Sequence, residues 1–385
     1  MLFGLDAIPL TEARAGVGRY TLELARALAA LSPADEFELA YPSSYNPINL
    51  AAEDGGLPPN LSEARVTVGA LGRRWWSVGL PRYAARRGLD LFHGTNYEVP
   101  LWGASARVVT VHDLSLLTRP ETHERRRVAR ARLRLPLMAR AADAVVVPTE
   151  AVRREACELL RLEASKVFAV HEAAGELFRP LAFEETEVAR RRLGVGDEFL
   201  LSVGTLEPRK NLHVLLRAFE ELVRARPSSQ LQLVLAGRTG WLAEPFLAAV
   251  ADSPARPRVV LTGYLDDETL RALYASCRAF VYPSVYEGFG LPPLEAMSCG
   301  APVVAGRGPA LEEVTAGAAR LFDPADADHL ARILLELLDD EGACRSLSDA
   351  ARRRARDFSW EKTARLTLDV YAEALKRKGR RFIRF

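Results

Sequence analysis

Several features that define large classes of protein are missing from this sequence. Its 385 residues include only four cysteines, which form no CxxC pair and have no histidine at ligand spacing, so no zinc site is predicted. The net charge of +2 gives no overall case for binding nucleic acid. No apolar run is long enough to span a bilayer, and the opening residues reach Asp6 without a basic or long apolar region, so no signal peptide is expected. These absences favour a cytoplasmic protein with reduced thiols.

The chain instead alternates short apolar runs with longer helical patterns. A length of 385 residues is too great for one core, which predicts two domains. Strand candidates such as Phe199–Val203, Leu231–Ala236 and Ala279–Tyr282 are apolar on both faces, as parallel strands between layers of helices must be. Helical patterns such as Tyr20–Leu31 and Leu212–Ala225 lie between the strands. We therefore predict an α/β protein with two doubly wound parallel sheets, whose ligands bind at the carboxyl ends of the strands in a cleft between facing domains.

The domain boundary is predicted within Phe178–Glu198, where Pro180 and a charged helix come before a new strand. The predicted division is 1–180, 181–360 and a C-terminal segment over 361–385. That segment begins as an amphipathic helix and ends in the basic residues Lys376–Phe385. Both large parts then have the size of ordinary domains.

The stretch Glu287–Glu295, with the sequence EGFGLPPLE, places two carboxylates eight positions apart around a glycine-rich turn. An apolar strand candidate precedes it and a helical pattern follows it, an arrangement that holds phosphate on backbone N–H groups and the helix dipole. The two glutamates add acceptors for hydroxyl groups on either side of the phosphate position. A ligand that carries hydroxyl groups on both sides of a diphosphate is a nucleotide sugar.

A pair of cations, Arg209 and Lys210, follows the strand candidate Phe199–Val203 and precedes a helix. Lysine can bind phosphate as a point charge, and arginine can bind it through two hydrogen bonds. Cations at a helix start oppose the helix dipole, so an anionic partner is expected and a phosphate site is favoured over a solvated pair. The glycines of Gly16-Val-Gly18, after the first strand, also suit a phosphate, although a plain turn is an equally good interpretation.

Two further motifs have both a chemical and a structural interpretation. His112 and Asp113 end a buried strand candidate, where the pair can bind a sugar hydroxyl or act as an acid and base, or Asp113 can simply cap the next segment. His93 is the other histidine that could line the cleft. Asp326-Ala-Asp328 matches the DxD pattern of metal-dependent sugar transferases, but an aspartate before a helix is also a good N-cap, so no metal site is predicted.

The segment Arg119–Arg140 is rich in arginine, and its apolar residues recur at helical spacing. A basic amphipathic helix can lie on an anionic membrane surface, and a solvated helix face is an equally good interpretation. Arg73-Arg-Trp-Trp76 offers a second cationic and aromatic patch, which supports the membrane interpretation.

Taken in order along the chain, the motifs resemble those of the family 4 glycosyltransferases of the GT-B fold, across nearly the whole length. The motifs that carry the resemblance are Gly16–Tyr20, Thr110–Asp113, Ser202–Asn211, Leu235–Gly237, Leu261–Tyr264 and Glu287–Glu295. The variant around Gly204–Asn211 is most similar to the bacterial mannosyl- and rhamnosyltransferase-like branch used in polysaccharide assembly. The resemblance implies two facing Rossmann-like domains, with 1–180 on the acceptor side, 181–360 holding the nucleotide-sugar donor and 361–385 crossing back to the first domain.

The resemblance also implies roles for particular residues. Glu287 contacts the donor sugar, Lys210 neutralises the diphosphate, and His112 borders the donor sugar. Together with Arg209, these are the predicted catalytic residues. Glu295 is expected to bind the ribose hydroxyls, and the Tyr264 region to lie beside the base. The predicted donor-binding residues are Gly16, Gly18, Gly204, Thr205, Tyr264, Phe289, Gly290, Leu291 and Glu295.

The chain departs from the family pattern in two places. Many members have arginine where this chain has Thr205, so Arg209 or the Thr205 hydroxyl group is expected to bind phosphate instead. At Gly308–Val314 the family has a small polar loop before Pro-Glu-Val, and that loop lies near the donor.

The implied activity is a retaining transfer of a hexosyl group, with mannosyl as first candidate, from a nucleotide-diphosphate sugar such as GDP-mannose to a glycan or lipid-linked acceptor. No metal and no cofactor are expected, since Lys210, Arg209 and loop amides would stabilise the departing diphosphate. The protein would work in the cytoplasm without nucleic acid, with the anionic inner face of the plasma membrane as a further partner. The alternatives are a nucleotide-sugar epimerase of the same fold, recognised by epimerisation without acceptor, and a non-catalytic nucleotide-sugar-binding subunit, recognised by tight binding without turnover.

Overall fold

The computed structural model describes residues 1–12, 16–48, 56–67 and 74–382. Contacts between Cα atoms divide the chain into two compact units. The first unit comprises Met1–Leu117, Ala129–Glu172 and Ser359–Phe385, and the second comprises Thr118–Val128 and Ala173–Phe358. In sequence, the second unit is therefore inserted between parts of the first.

The short segment Thr118–Val128 departs from the predicted division, which placed it in the first domain. The reason is Trp241. Its ring stacks on that of His123, the guanidinium of Arg127 lies 4.7 Å from the ring centre, and its Nε1 donates a hydrogen bond to the carbonyl oxygen of Thr122 at 2.9 Å. Local patterns in the sequence cannot reveal a contact between residues this far apart.

The secondary structure alternates strands and helices along both units. In the described residues the strands are β1 (Leu2–Asp6), β2 (Glu36–Pro42), β3 (Leu61–Val66), β4 (Leu91–Gly94), β5 (Ala106–Thr110), β6 (Ala144–Val147), β7 (Val167–Ala169), β8 (Phe199–Val203), β9 (Gln232–Ala236), β10 (Val259–Gly263), β11 (Ala279–Tyr282), β12 (Val303–Gly306) and β13 (Arg320–Phe322). The α-helices are α1 (Gly16–Leu31), α2 (Leu80–Arg87), α3 (Ser115–Thr118), α4 (Arg125–Ala141), α5 (Glu150–Leu159), α6 (Glu187–Arg192), α7 (Leu212–Ala225), α8 (Glu244–Asp252), α9 (Asp267–Ser276), α10 (Leu291–Cys299), α11 (Pro309–Thr315), α12 (Ala327–Asp339), α13 (Glu341–Ala355) and α14 (Trp360–Phe382).

Each unit contains one parallel sheet, and the two sheets have the same winding. The strand order in the first is β3-β2-β1-β4-β5-β6-β7, and in the second it is β10-β9-β8-β11-β12-β13. Among the described residues every pair of neighbouring strands is parallel, for example Phe199 with Gln232 and Ala279 with Leu200. The order reverses between β1 and β4 and between β8 and β11. Ligands of doubly wound sheets bind at the carboxyl ends of the strands at such switch points.

The core of the second unit shows why its strands are apolar on both faces. Phe199 and Leu201 of β8 belong to a buried cluster with residues of α9 and α10, such as Leu294. Leu200, between them, belongs to a second cluster with residues of α7, such as Phe219. Alternate residues therefore pack against helices on opposite faces of the sheet. The predicted α/β class with doubly wound parallel sheets is confirmed.

Several predicted elements are confirmed residue for residue. The strands β8 and β11 and the helix α7 have the bounds expected from the sequence. The first helix differs, because it begins at Gly16 and not at Tyr20. The glycines of the first motif therefore lie in the first turn of a helix and not in a loop before it.

The C-terminal helix α14 packs against α1, β5 and β6 of the first unit. Tyr371 on this helix is buried, and its hydroxyl group lies 2.8 Å from Nδ1 of His93. The other ring nitrogen of His93 lies 2.8 Å from Oγ1 of Thr110. The expectation that His93 could line a binding cleft is wrong, because its side chain is fully buried and holds the C-terminal helix in place.

The prediction of an exposed cationic and aromatic patch at Arg73–Trp76 is wrong for one of its two tryptophans. Trp75 is buried in a cluster with Leu80 and Phe92, so it is core and not an exposed aromatic group. Arg73 lies outside the described residues. Among the helices that the structure describes, none combines the length and the apolar character needed to cross a bilayer.

Candidate functional site

Two loops, at the carboxyl ends of β8 and β11, form the centre of the candidate site. The loop after β8 begins at Gly204, whose φ of +150° is rarely adopted by other residues. A Cβ atom there would lie 3.3 Å from Cε of Lys210, so glycine lets the lysine lie close to the strand end. The loop ends at Asn211, whose Nδ2 donates hydrogen bonds to the carbonyl oxygens of Pro283 at 3.1 Å and Pro324 at 2.8 Å. The loops are thus tied to one another.

Four charged side chains meet where these loops come together. Nζ of Lys210 lies 2.6 Å from Oε1 of Glu287 and donates a hydrogen bond of 2.6 Å to the Tyr282 hydroxyl group. Arg209 pairs with the other oxygen of Glu287 at 2.9 Å and with Glu207 at 2.7 Å. None of these four charged side chains is more than 12% exposed. Two cations are therefore balanced by two carboxylates in one buried cluster.

The protonation of this cluster follows from burial and charge. Burial alone would raise the pKa of Glu287, but Arg209 and Lys210 outweigh it and lower that pKa to about 2. Burial lowers the pKa of Lys210, and the attraction of Glu287 opposes that effect. The short contact between the two groups favours an ionised pair. An anion that reaches the cluster therefore meets cations whose charge is already shared with carboxylates.

A pocket opens beside the cluster, at the switch point of the second sheet. Its walls include the backbone at Gly204 and the side chains of Leu206, Lys210, Leu212 and Tyr282. Apolar walls with a few convergent polar groups are typical of a small-molecule site. The pocket lies where the winding of the sheet predicts that a ligand binds.

The start of α10 offers backbone donors next to the cluster. Gly290 precedes the helix with a φ of +101°, and a Cβ atom there would come within 2.7 Å of a Leu311 methyl group. Proline at both 292 and 293 has no N–H group, so the donors of this turn are those of Phe289, Gly290 and Leu291. These three residues are among the predicted donor-binding residues. Phe289 is anchored by an edge-on contact with the ring of Phe358, at 5.8 Å between centres.

The three remaining predicted residues of the second unit have different surroundings. Glu295 on α10 is 1% exposed and accepts a hydrogen bond from the Tyr274 hydroxyl group at 3.0 Å. Tyr264 follows β10 and is 44% exposed, and the guanidinium of Arg238 lies 4.9 Å from the centre of its ring. Thr205 is half-buried, and its methyl group packs close to Gly240 in the loop after β9.

The first unit carries the other predicted residues. Gly16 is exposed at the start of α1, and a Cβ atom there would meet nothing within 4 Å. Gly18 is buried, and a Cβ atom there would lie 2.9 Å from the carbonyl oxygen of Pro9. Close packing against Pro9 therefore explains why position 18 is glycine without any ligand. No such packing constrains Gly16.

His112 is held on both sides by acceptors of the first unit. Its Nε2 lies 2.8 Å from the carbonyl oxygen of Thr95, and its Nδ1 lies 3.1 Å from Oε1 of Glu172. The ring also makes an edge-on contact with Tyr20, at 4.8 Å between centres. The protein thus fixes the orientation of the imidazole. Asp113 caps the next segment, as expected, by accepting a hydrogen bond from the Ser115 N–H group at 2.9 Å.

Comparison with known proteins agrees with this architecture. A model described as "Glycosyltransferase Family 4" matches residues 14–173, and one described as "Glycosyl transferases group 1" matches residues 183–354. The chain is 31% identical over 384 residues to O-antigen chain mannosyltransferase B of Escherichia coli, an alignment that covers 96% of this chain and 99% of that protein. The chain belongs to the family 4 glycosyltransferases.

Solved structures share the fold of this glycosyltransferase. Sucrose-phosphate synthase from Thermosynechococcus elongatus matches with a TM-score of 0.76 at 23% identity, over 96% of this chain and 98% of that one. The Anabaena protein HepE, solved in complex with UDP-glucose, matches with a TM-score of 0.71 at 19% identity, over 96% of this chain and 99% of that one. At these identities the likeness establishes the GT-B fold.

Several residues that complete the charged cluster around Lys210 and Glu287 were not predicted from the sequence. Glu207 is buried against Arg209, and Tyr282 accepts a hydrogen bond from Lys210. The hydroxyl oxygen of Ser284 lies within hydrogen-bond distance of a Glu287 carboxylate oxygen and of the carbonyl oxygen of Arg209. The one available signal was an acid, Glu207, beside two cations in a loop that was predicted to need an anionic partner.

The DxD motif, Asp326-Ala-Asp328, lies at the start of α12, where Asp326 is the N-cap residue. Asp326 accepts a hydrogen bond from the N–H group of His329 at 2.8 Å and caps α12, as the N-cap interpretation predicted. Within the residues that the structure describes, no group of three or more histidine, cysteine, aspartate or glutamate side chains is placed to hold a metal ion.

Proposed function

We propose that this glycosyltransferase moves a mannosyl group from GDP-mannose to a glycan or lipid-linked acceptor during polysaccharide biosynthesis, with retention of anomeric configuration. The observation that carries the proposal is the buried cluster of Arg209, Lys210 and Glu287 at the switch point of the second sheet. The Escherichia coli relative is named a mannosyltransferase, which supports the sugar. The Anabaena structure with UDP-glucose supports a nucleotide-sugar donor.

The proposed chemistry depends on where the site holds positive charge. Arg209 and Lys210 face the diphosphate, and the N–H groups of Phe289, Gly290 and Leu291 add donors that are fixed by the start of α10. As the bond from the anomeric carbon to the diphosphate oxygen breaks, negative charge develops on the leaving group. Charges and donors that are already in place stabilise that charge without reorganisation.

The acceptor then completes the reaction. Its hydroxyl oxygen attacks the anomeric carbon from the face that the diphosphate leaves, so the configuration is retained. The hydroxyl proton passes to the departing phosphate oxygen, which balances the charge. In this proposal Glu287 contacts the donor sugar, Glu295 the ribose and Tyr264 the base. The roles of Gly16 and His112 stay predictions.

We further propose that the transfer requires no metal ion, because Arg209, Lys210 and the backbone amides supply the positive charge. The test is a transfer assay with radiolabelled GDP-mannose, a lipid-linked glycan acceptor and excess EDTA. We expect labelled product with the donor's anomeric configuration, determined by NMR. Activity that is abolished by EDTA and restored by Mg²⁺ or Mn²⁺ would contradict metal independence.

A matched pair of lysine variants tests the cluster itself. Lys210→Met keeps the length of the side chain and removes its charge, and we expect kcat/KM to fall by about 100- to 1000-fold. Lys362→Met, at an exposed position of α14, should leave the rate unchanged. Epimerised donor without acceptor would favour an epimerase, and donor binding without transfer to any acceptor would favour a binding subunit.

We also propose that the enzyme associates with the anionic inner face of the plasma membrane through α4. Leu133 and Leu137, one turn apart on this helix, are 78% and 50% exposed. Arg126, Arg130 and other arginines beside them are exposed as well. An apolar strip flanked by cations is the surface that binds anionic lipid.

A further inference from the structure

Arg238 and Tyr264 form a cation–π pair at the carboxyl edge of the second sheet. Arg238 follows β9 and Tyr264 follows β10, so both lie at the end of the sheet where the pocket opens. The guanidinium of Arg238 lies 4.9 Å from the centre of the Tyr264 ring. Both side chains are exposed. The pair therefore presents the edge of a guanidinium, whose orientation the tyrosine restricts, to whatever occupies this end of the sheet.

The backbone joins this pair to the loop that carries Lys210. The N–H group of Gly204 donates to the carbonyl oxygen of Ala236 at 2.9 Å, and that of Leu206 donates to the carbonyl oxygen of Arg238 at 2.8 Å. A Cβ atom on Gly237 would lie 2.0 Å from the carbonyl oxygen of Gly204, so the two loops touch. The position of the pair relative to the cluster is thus set by hydrogen-bonded backbone within one unit.

A further backbone hydrogen bond joins the loop after β9 to the loop that carries Tyr264. The N–H group of Gly237 donates to the carbonyl oxygen of Gly263 at 2.8 Å, directly before Tyr264. The loops after β8, β9 and β10 therefore form one hydrogen-bonded edge, with the diphosphate candidate Lys210 at one end and the Arg238–Tyr264 pair at the other. A nucleoside diphosphate has the same sequence of groups, with its phosphates at one end and its base at the other.

We propose that Arg238, oriented by Tyr264, selects the nucleotide base and favours guanine over uracil. This inference rests on the proposed function, because it assigns a base to the same donor site. An arginine fork can donate two hydrogen bonds to the adjacent O6 and N7 acceptors of guanine. Uracil has O4 but no second acceptor beside it on that edge, so it can accept only part of the fork. The pair therefore discriminates between donors that carry the same diphosphate.

The test compares dissociation constants of GDP and UDP by calorimetry with purified full-length protein in EDTA. Arg238→Lys keeps the charge and loses the fork, and we expect it to weaken GDP binding by about 10- to 100-fold while UDP binding changes little. Arg224→Lys, at an exposed arginine on α7, is the matched control and should change neither constant. Lys210→Met should weaken both nucleotides to a similar degree.

A modified nucleotide tests the role of Arg238 in the unaltered protein, so that a folding defect of the variant cannot explain the result. The base 7-deazaguanine lacks the N7 acceptor, so 7-deaza-GDP should bind the unaltered protein more weakly than GDP and bind Arg238→Lys about as well as GDP does. Equal losses for the modified ligand in both proteins, or a preference of the unaltered protein for UDP, would overturn the assignment of Arg238. Failure of every nucleoside diphosphate to bind would overturn the proposed function together with this inference.

Discussion

Lys210 and Arg209 hold the same carboxylate, because Oε1 of Glu287 lies 2.6 Å from the lysine ammonium and Oε2 lies 2.9 Å from the arginine. Glu287 therefore occupies the two cations that we propose for the diphosphate. An arriving diphosphate must share those cations with a carboxylate or displace it. Displacement would free Glu287 to accept a hydrogen bond from a sugar hydroxyl group, so donor binding and the placement of Glu287 would be coupled.

This coupling predicts opposite effects of one substitution on binding and on turnover. In Glu287→Gln the cations lose a competing anion, so we expect GDP to bind about tenfold more tightly, on the scale of one charge pair. We expect kcat to fall by about 100-fold, since the amide cannot replace the carboxylate. Calorimetry and initial rates give the two quantities. Glu287→Asp keeps the charge and serves as the control, and weaker GDP binding in Glu287→Gln would refute the competition.

A buried carboxyl group predicts how stability depends on pH. Asp6 ends β1 with 1% of its surface exposed, and burial raises its pKa from 3.8 to about 8 against a hydrogen bond from the Ile8 N–H group. The unfolded chain then loses this proton near pH 4 and the folded chain near pH 8. The folded chain therefore binds more protons in this window, and the contribution of Asp6 to the free energy of unfolding falls as pH rises.

Asp6→Asn should remove that loss, because the amide keeps an acceptor for Ile8 and cannot ionise. We expect no gain at pH 4 and a gain that grows by at most about 1.4 kcal/mol per pH unit towards pH 8. Urea unfolding at several pH values measures it. A stability difference that is the same at pH 4 and pH 8 would show that the carboxyl group does not titrate in this window.

The exposed leucines of α4 predict binding to anionic vesicles. Leu133→Ser with Leu137→Ser removes the apolar strip, and we expect sedimentation with phosphatidylglycerol vesicles to drop severalfold while transfer to a water-soluble acceptor persists. The matched control is Val188→Ser with Leu242→Ser, because those residues are 79% and 48% exposed in the second unit. Equal losses in both double variants would mean that α4 is an ordinary solvated helix.

The contact between Tyr371 and His93 predicts a cost for loosening the C-terminal helix. Tyr371→Phe keeps the ring and leaves Nδ1 of His93 buried without its partner, which should lower the free energy of unfolding by about 1–3 kcal/mol. Chemical denaturation followed by circular dichroism measures the change. Tyr45→Phe, at a residue that is 43% exposed, is the control and should be close to neutral. A neutral Tyr371→Phe would mean that water can replace the tyrosine hydroxyl group.

The sequence was most informative where local pattern decides structure. The apolar run Ala279–Tyr282 and the helix Leu212–Ala225 were predicted with the bounds that the structure shows, because burial on two faces and a 3.6-residue period leave clear patterns. The sequence also predicted that the loops after β8 and β11 lie at the same edge of the sheet, because the carboxyl ends of parallel strands meet there.

What the sequence could not show is which side chains pair across distance. Glu207 as the partner of Arg209, and Tyr282 as the partner of Lys210, depend on how two loops fold over one another. His93 was misassigned because a histidine at a strand end looks the same whether it faces solvent or a buried tyrosine 278 residues away. Such pairings are tertiary contacts, and the local periodicity of the sequence does not reveal them.

The insertion of the second unit between parts of the first has a consequence for biosynthesis. After Glu172, translation must add 199 residues to reach Tyr371, which takes roughly 10–40 s at about 5–20 residues per second. The second unit is complete in the chain before α14 emerges, so it can fold first, although it starts later. Until then the nascent first unit exposes the apolar surface of α1, β5 and β6 that α14 will cover. A chain that ends near residue 360 would carry a complete second unit attached to a first unit that lacks α14 and exposes this apolar surface, which would make it a target for chaperones and proteases.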